Sequence, residues 1–90
     1  MNEPSHIREY LRQALALARR DERGKRVPMP ERILFEGVRR LCREPLKVDE
    51  FREALQWNEA RGYAKSSFDD VADSDAWALT PAGLKKEGAR

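Results

Sequence analysis

Arginine is the residue type with the most chemistry to offer in this sequence. Arg8, Arg12, Arg19 and Arg23 are spaced 4, 7 and 4 apart, and Arg32, Arg39 and Arg43 repeat the 7 and 4 spacing. On a helix those intervals place each set along one stripe. A guanidinium is a permanent cation whose planar fork of donors matches phosphate oxygens. Two such stripes side by side would attract double-stranded DNA through its phosphates, with Arg8, Arg12, Arg19, Arg39 and Arg43 as the candidate DNA-binding residues. The competing reading is a solvated face neutralised by local pairs such as Glu9–Arg12 and Glu36–Arg40.

Negative charge collects further along the chain. Asp49, Glu50, Glu53 and Glu59 fall in one segment, and Asp69, Asp70, Asp73 and Asp75 in the next. A basic protein partner suits that surface, with Trp57, Glu50, Glu53, Asp69 and Asp70 as candidate protein-binding residues. The aspartate cluster lacks the glycine and the distal glutamate of a calcium loop and reads as a solvated turn. One His and one Cys cannot build a His/Cys zinc site within a chain. His6 has no visible acid–base partner, Ser66 and Ser67 have no triad companions, and Cys42 falls on an apolar helix face as core. No metal, no cofactor and no enzymatic activity are therefore expected.

Ninety residues with five Gly and five Pro, 40% hydrophobic and 38% charged, have globular composition. That length suits one domain spanning 1–90. No apolar run approaches the roughly 18–20 residues of a membrane span, and one cysteine fits a reduced, cytoplasmic chain. The net charge of +2 conceals a segregation: residues 1–47 carry twelve Lys/Arg against seven Asp/Glu, and residues 48–80 carry three against eight. Such polarity steers partners and says little about fold.

Four helices and a hairpin are expected to position these residues. Ile7, Tyr10, Leu11, Ala14, Leu15 and Ala18 mark one apolar face of a first helix within 1–24, capped by Ser5 and stopped at Gly24. Residues 25–30 are extended, because proline disfavours helix in the residue before it. A helix pair fills 30–62. Its first member opens at Pro30, buries Ile33, Leu34, Gly37, Val38, Leu41 and Cys42, and ends at Pro45. The second buries Phe51, Ala54 and Leu55, keeps Trp57 on its flank and ends at Gly62. Phe35 and Trp57, off their stripes, are either partner contacts or covers for the hairpin. Two strands, Tyr63–Phe68 and Ala76–Thr80, form a hairpin within 63–80, with Trp77 and Leu79 facing inward. Thr80-Pro81 caps a short helix over 81–88.

Ala60-Arg61-Gly62-Tyr63, the strand Trp77-Ala78-Leu79-Thr80 and the following Pro81-Ala82-Gly83-Leu84 resemble the closing half of winged helix-turn-helix regulators of the small bacterial MarR and PadR kinds. The resemblance covers roughly residues 30–88. It implies an α+β, mainly helical winged-helix-like fold of three main helices, a two-stranded wing and a short C-terminal helix. It also implies a small DNA-binding regulator or accessory protein, whose third helix would ordinarily enter the major groove. Local charge supports the alternative, an interaction module whose acidic third helix and wing grip a basic protein. The same polarity predicts a weak, salt-sensitive homodimer, with Leu17 as a further seam.

Overall fold

The computed structural model describes residues 2–18 and 20–88. Helix α1 (Pro4–Ala16) is followed by a short strand β1 (Met29–Pro30), helices α2 (Glu31–Leu41) and α3 (Val48–Ala60), strands β2 (Ala64–Asp69) and β3 (Ser74–Leu79), and helix α4 (Pro81–Lys86). The described residues thus form an α+β domain of four helices and one three-stranded antiparallel sheet, ordered β1-β3-β2.

The hairpin forms where the spacing places it, and its strands run closer to the tip than expected. Ala64 pairs with Leu79 at the base and Asp69 with Ser74 at the turn. Trp77 and Leu79 are buried together, as their two-residue separation requires. The third strand was not expected. Met29 and Pro30 pair with Trp77 and Ala76, so the extended segment before α2 becomes an edge strand, a position where proline is tolerated.

Helix α1 ends at Ala16, eight residues before the expected stop at Gly24. A compact turn replaces its last two turns. The Asp21 carboxylate accepts the backbone N–H groups of Arg23 and Lys25, both at 2.9 Å, and Arg20 bridges antiparallel to Arg26. Arg26 Nε donates to the carbonyl of Ala16 at 3.2 Å, supplying a cation where the helix leaves free carbonyls. At the other end Glu3 precedes the helix and Pro4 opens it, so Ser5 lies inside the first turn and does not cap.

The core is one cluster, built from Ile7, Leu11 and Leu15 of α1, Leu34 and Val38 of α2, Phe51, Ala54 and Leu55 of α3, and Trp77 and Leu79 of the sheet. Phe35 packs edge-on against Phe51 with centroids 5.1 Å apart and takes its place beside this cluster. The expected apolar face of α2 is rotated: Leu34 and Val38 are buried, whereas Ile33 and Leu41 stay exposed.

The junction of the hairpin and α4 is closed by three residues. Gly62, at φ +76°, turns the chain out of α3 in a conformation that favours glycine. Thr80 N–H donates to the Tyr63 carbonyl at 3.0 Å, and Thr80 Oγ1 accepts from Gly83 N–H at 3.1 Å as the N-cap of α4. Gly83 has to lack a side chain, since a Cβ there would stand 2.0 Å from the Tyr63 carbonyl oxygen. Leu79→Ala is expected to cost about 2–5 kcal/mol and Thr80→Ala about 1. Gly83→Ala should exceed the threonine change because a backbone carbonyl cannot swing aside. Urea unfolding ranks the three, and an unchanged midpoint for Leu79→Ala would contradict this packing.

Candidate interaction site

The arginines of α1 turn inward and the exposed charges lie elsewhere. Arg12 is only 7% exposed. Its Nη1 donates to Asn58 Oδ1 at 3.0 Å and its Nε to Glu87 Oε2 at 2.8 Å, an ion pair almost wholly out of solvent. Asn58, fully buried on α3, completes the set: its amide donates to the carbonyls of Ala54 at 2.8 Å and Arg8 at 3.2 Å. No buried side-chain nitrogen or oxygen among the described residues lacks a hydrogen-bond partner. Arg8 forms an ion pair with Glu53, and its guanidinium lies 4.9 Å from the centre of the Trp57 ring. Arg61 lies over the same ring at 4.6 Å, and Tyr63 stands beside it with centroids 6.0 Å apart. Trp57 is thus half-buried under cations.

The five candidate DNA-binding arginines are not brought together. Arg8 and Arg12 are engaged as described, and Arg19 lies outside the described residues. Arg23, whose spacing continues the α1 stripe, sits in the turn after the helix. Arg39 and Arg43 are exposed, with Arg39 bonded to Glu36 at 2.6 Å. The local pairing is also redistributed: Glu36 takes Arg39 in place of Arg40, and Glu9 accepts from Gln13 while Arg12 reaches Glu87.

Among the candidate protein-binding residues, Glu53 is held by Arg8 and Glu50 reaches back to the Lys47 backbone N–H at 2.9 Å, securing the start of α3. Asp69 Oδ1 accepts the N–H groups of Val71 and Ala72 and shapes the tip of the hairpin. Asp70, Asp73 and Asp75 are exposed and form no ion pair with any described residue. They share the hairpin tip with two exposed apolar side chains, Phe68, paired in register with Asp75, and Val71, the latter 98% exposed. An acidic tip with apolar contacts at its centre is the chemistry of a protein contact.

A second feature went unforeseen as a site. Ala14 and Leu17 of the α1 end, Met29 of β1, and Ile33, Gly37 and Leu41 of α2 line an apolar groove of about 630 Å³, with Arg32 and Arg40 on its walls. Its signal was present: apolar residues at 33, 34, 35, 37, 38, 41 and 42 span an arc wider than one core contact covers. Asn58 and Glu87 gave no such signal, because nothing local distinguishes a buried polar residue from a solvated one.

Burial, with the Glu50 carboxylate adding to it, pushes the Cys42 thiol above its ordinary value and so disfavours the reactive thiolate. Among the described residues no group of three or more His, Cys, Asp or Glu is arranged to hold a metal ion, and no helix is long and apolar enough to cross a membrane. No protein-family model, curated protein or solved structure matches the chain.

The Arg12 network carries its own test. Arg12→Ala leaves the Glu87 carboxylate and the Asn58 amide oxygen unpaired, and its expected cost is about 3–5 kcal/mol. Replacing both ion-pair partners, Arg12→Met with Glu87→Met, should cost clearly less than the two single changes added together. Equal, additive losses in urea unfolding would show that the ion pair does not couple the two positions.

Proposed function

We propose that this chain is a non-enzymatic interaction module of winged-helix-like architecture that grips a basic protein surface through its wing tip. The order of helices and hairpin, and the Thr80–Gly83 closure after the wing, support the winged-helix part of that reading. The observation that carries the functional part is the hairpin tip itself. Asp70, Asp73 and Asp75 share the tip with exposed Phe68 and Val71, while the arginines of α1 spend their charge on Glu53 and Glu87. Charge complementarity then supplies orientation and association rate, and the two apolar side chains supply the desolvated centre.

A second reading is a small DNA-binding regulator or accessory protein. It rests on the exposed cations Arg32, Arg39, Arg40 and Arg43 of the α2 side. The helix that would ordinarily enter the major groove, α3, presents Asp49 and Glu59 beside Arg52 at its surface, which weakens phosphate attraction there.

Backbone amide titrations separate the two. An amphipathic Leu/Arg peptide added to the labelled chain at low salt is expected to shift residues 68–75 saturably, with the effect fading at high salt. Shifts absent from that segment would overturn the interaction reading. If a generic DNA duplex instead shifts Arg39, Arg40 and Arg43, the second reading takes its place. Replacing two of those arginines should then flatten the salt dependence by roughly two units.

A further inference from the structure

Two exposed apolar surfaces among the described residues carry opposite charge. The groove of α1, β1 and α2 exposes Leu17 at 84% and Ile33 at 52%, with Arg32 and Arg40 standing over it. Neither arginine forms an ion pair with any described residue, and the one carboxylate in the wall, Glu36, is already bound to Arg39. The wing tip exposes Phe68 at 60% and Val71 in the same short segment as Asp70, Asp73 and Asp75, with Asp75 opposite Phe68 in the strand register. The tip is narrow, since the strands pair as far as Asp69 and Ser74 and Asp69 folds the turn onto its own backbone. A narrow acidic projection with apolar side chains matches an open basic groove with an apolar floor in shape, polarity and sign.

We infer that the partner of the wing tip is a second copy of this chain, with the tip of each protomer seated in the Leu17–Ile33 groove of the other. This deepens the interaction reading above and rests on it. Pairing two grooves face to face would set Arg32 and Arg40 of one copy against the same residues of the next, and pairing two tips would oppose aspartates. Among contacts between two copies, only tip against groove buries both apolar surfaces and pairs both sets of charges. A two-fold axis makes the two tip–groove contacts equivalent and closes the assembly. A hairpin tip offers only a small contact, so the dimer is expected to be weak and reversible. Association is therefore expected to be salt-sensitive, because exposed charges at a small interface are readily screened.

Sedimentation velocity on the full chain tests this with two charge reversals. One variant reverses the groove, Arg32→Glu with Arg40→Glu, and the other reverses the tip, Asp70→Lys with Asp75→Lys. All four positions are exposed and outside the core, so circular dichroism melts should match the parent. The parent chain is expected to form a dimer at low salt that dissociates as salt rises. Each variant alone should associate at least about tenfold more weakly, because both of its contacts oppose like charges. Mixed in equal amounts, the two variants should recover a dimer, since each reversed tip then meets a reversed groove and each parental tip a parental groove.

A parent chain that stays monomeric at high micromolar concentration and low salt overturns the inference, as does a dimer that neither reversal weakens. Failure of the mixture to recover overturns it as well. If the parent is monomeric while the Leu/Arg peptide still shifts residues 68–75, the wing tip remains an interaction surface and only its partner was misassigned. If the peptide fails too, both readings fall.

Discussion

A buried arginine sets the terms for this fold. Arg12 on α1 meets Asn58 on α3 and Glu87 just beyond α4, and through them it ties the first helix to the middle and the end of the chain. Taking a guanidinium out of water is expensive, and it is sustained only where a carboxylate and well-aligned acceptors replace the lost hydration. Asn58 makes the arrangement specific. Its amide donates to a carbonyl of its own helix and to one of α1, while its oxygen faces the guanidinium. A sliding or rotation of α1 against α3 would break several of these bonds at once. The apolar core beneath fixes that the helices pack, and the polar network fixes in what register.

That network also decides what the surface can do. A stripe of arginines on α1 has the makings of a phosphate-binding face, yet two of its members are turned inward or folded over Trp57. The ring accepts Arg8 and Arg61 on its π-surface, a contact strongest where water is partly excluded. Both described arginines of α1 are thus matched internally by carboxylates from later in the chain, Arg8 by Glu53 and Arg12 by Glu87. Among the exposed charges with no ion pair to a described residue are Asp70, Asp73 and Asp75 at the hairpin tip and Arg32 and Arg40 on the walls of the α2 groove.

The groove arises from a mismatch between α2 and the space available to it. Seven apolar residues occupy an eleven-residue helix and the residue after it, and the core contacts from α1, α3 and the sheet cover only the arc around Leu34, Val38 and Phe35. The early end of α1 removes the helix that would have shielded the rest. The turn stabilised by Asp21 and Arg26 leaves Leu17 projecting beside Ile33. An exposed apolar surface of this kind is costly to leave in water, and proteins commonly retain it where another surface covers it.

The sequence alone determined the elements whose cause is local. Helical spacing marks the buried faces of α1 and α3, and in α2 the positions Leu34 and Val38 but not Ile33 or Leu41. The two-residue alternation of Trp77 and Leu79 marks the hairpin, and Thr80 and Pro81 mark the start of α4 through a cap and a fixed φ. Leu17 also stands outside the core, as its place beside the buried stripe implies. Tertiary structure decided whatever depends on partners distant in the chain. The strand at Met29 exists only because β3 offers it an edge, and α1 stops early because Arg26 and Asp21 satisfy the backbone beyond Ala16. Arg12 is interior only because Glu87, seventy-five residues later, is there to receive it. Periodicity reports which face of a helix is apolar. It carries no information about which of two charged residues will find a counter-ion inside the fold, because that choice is made by desolvation and geometry after the helices have met.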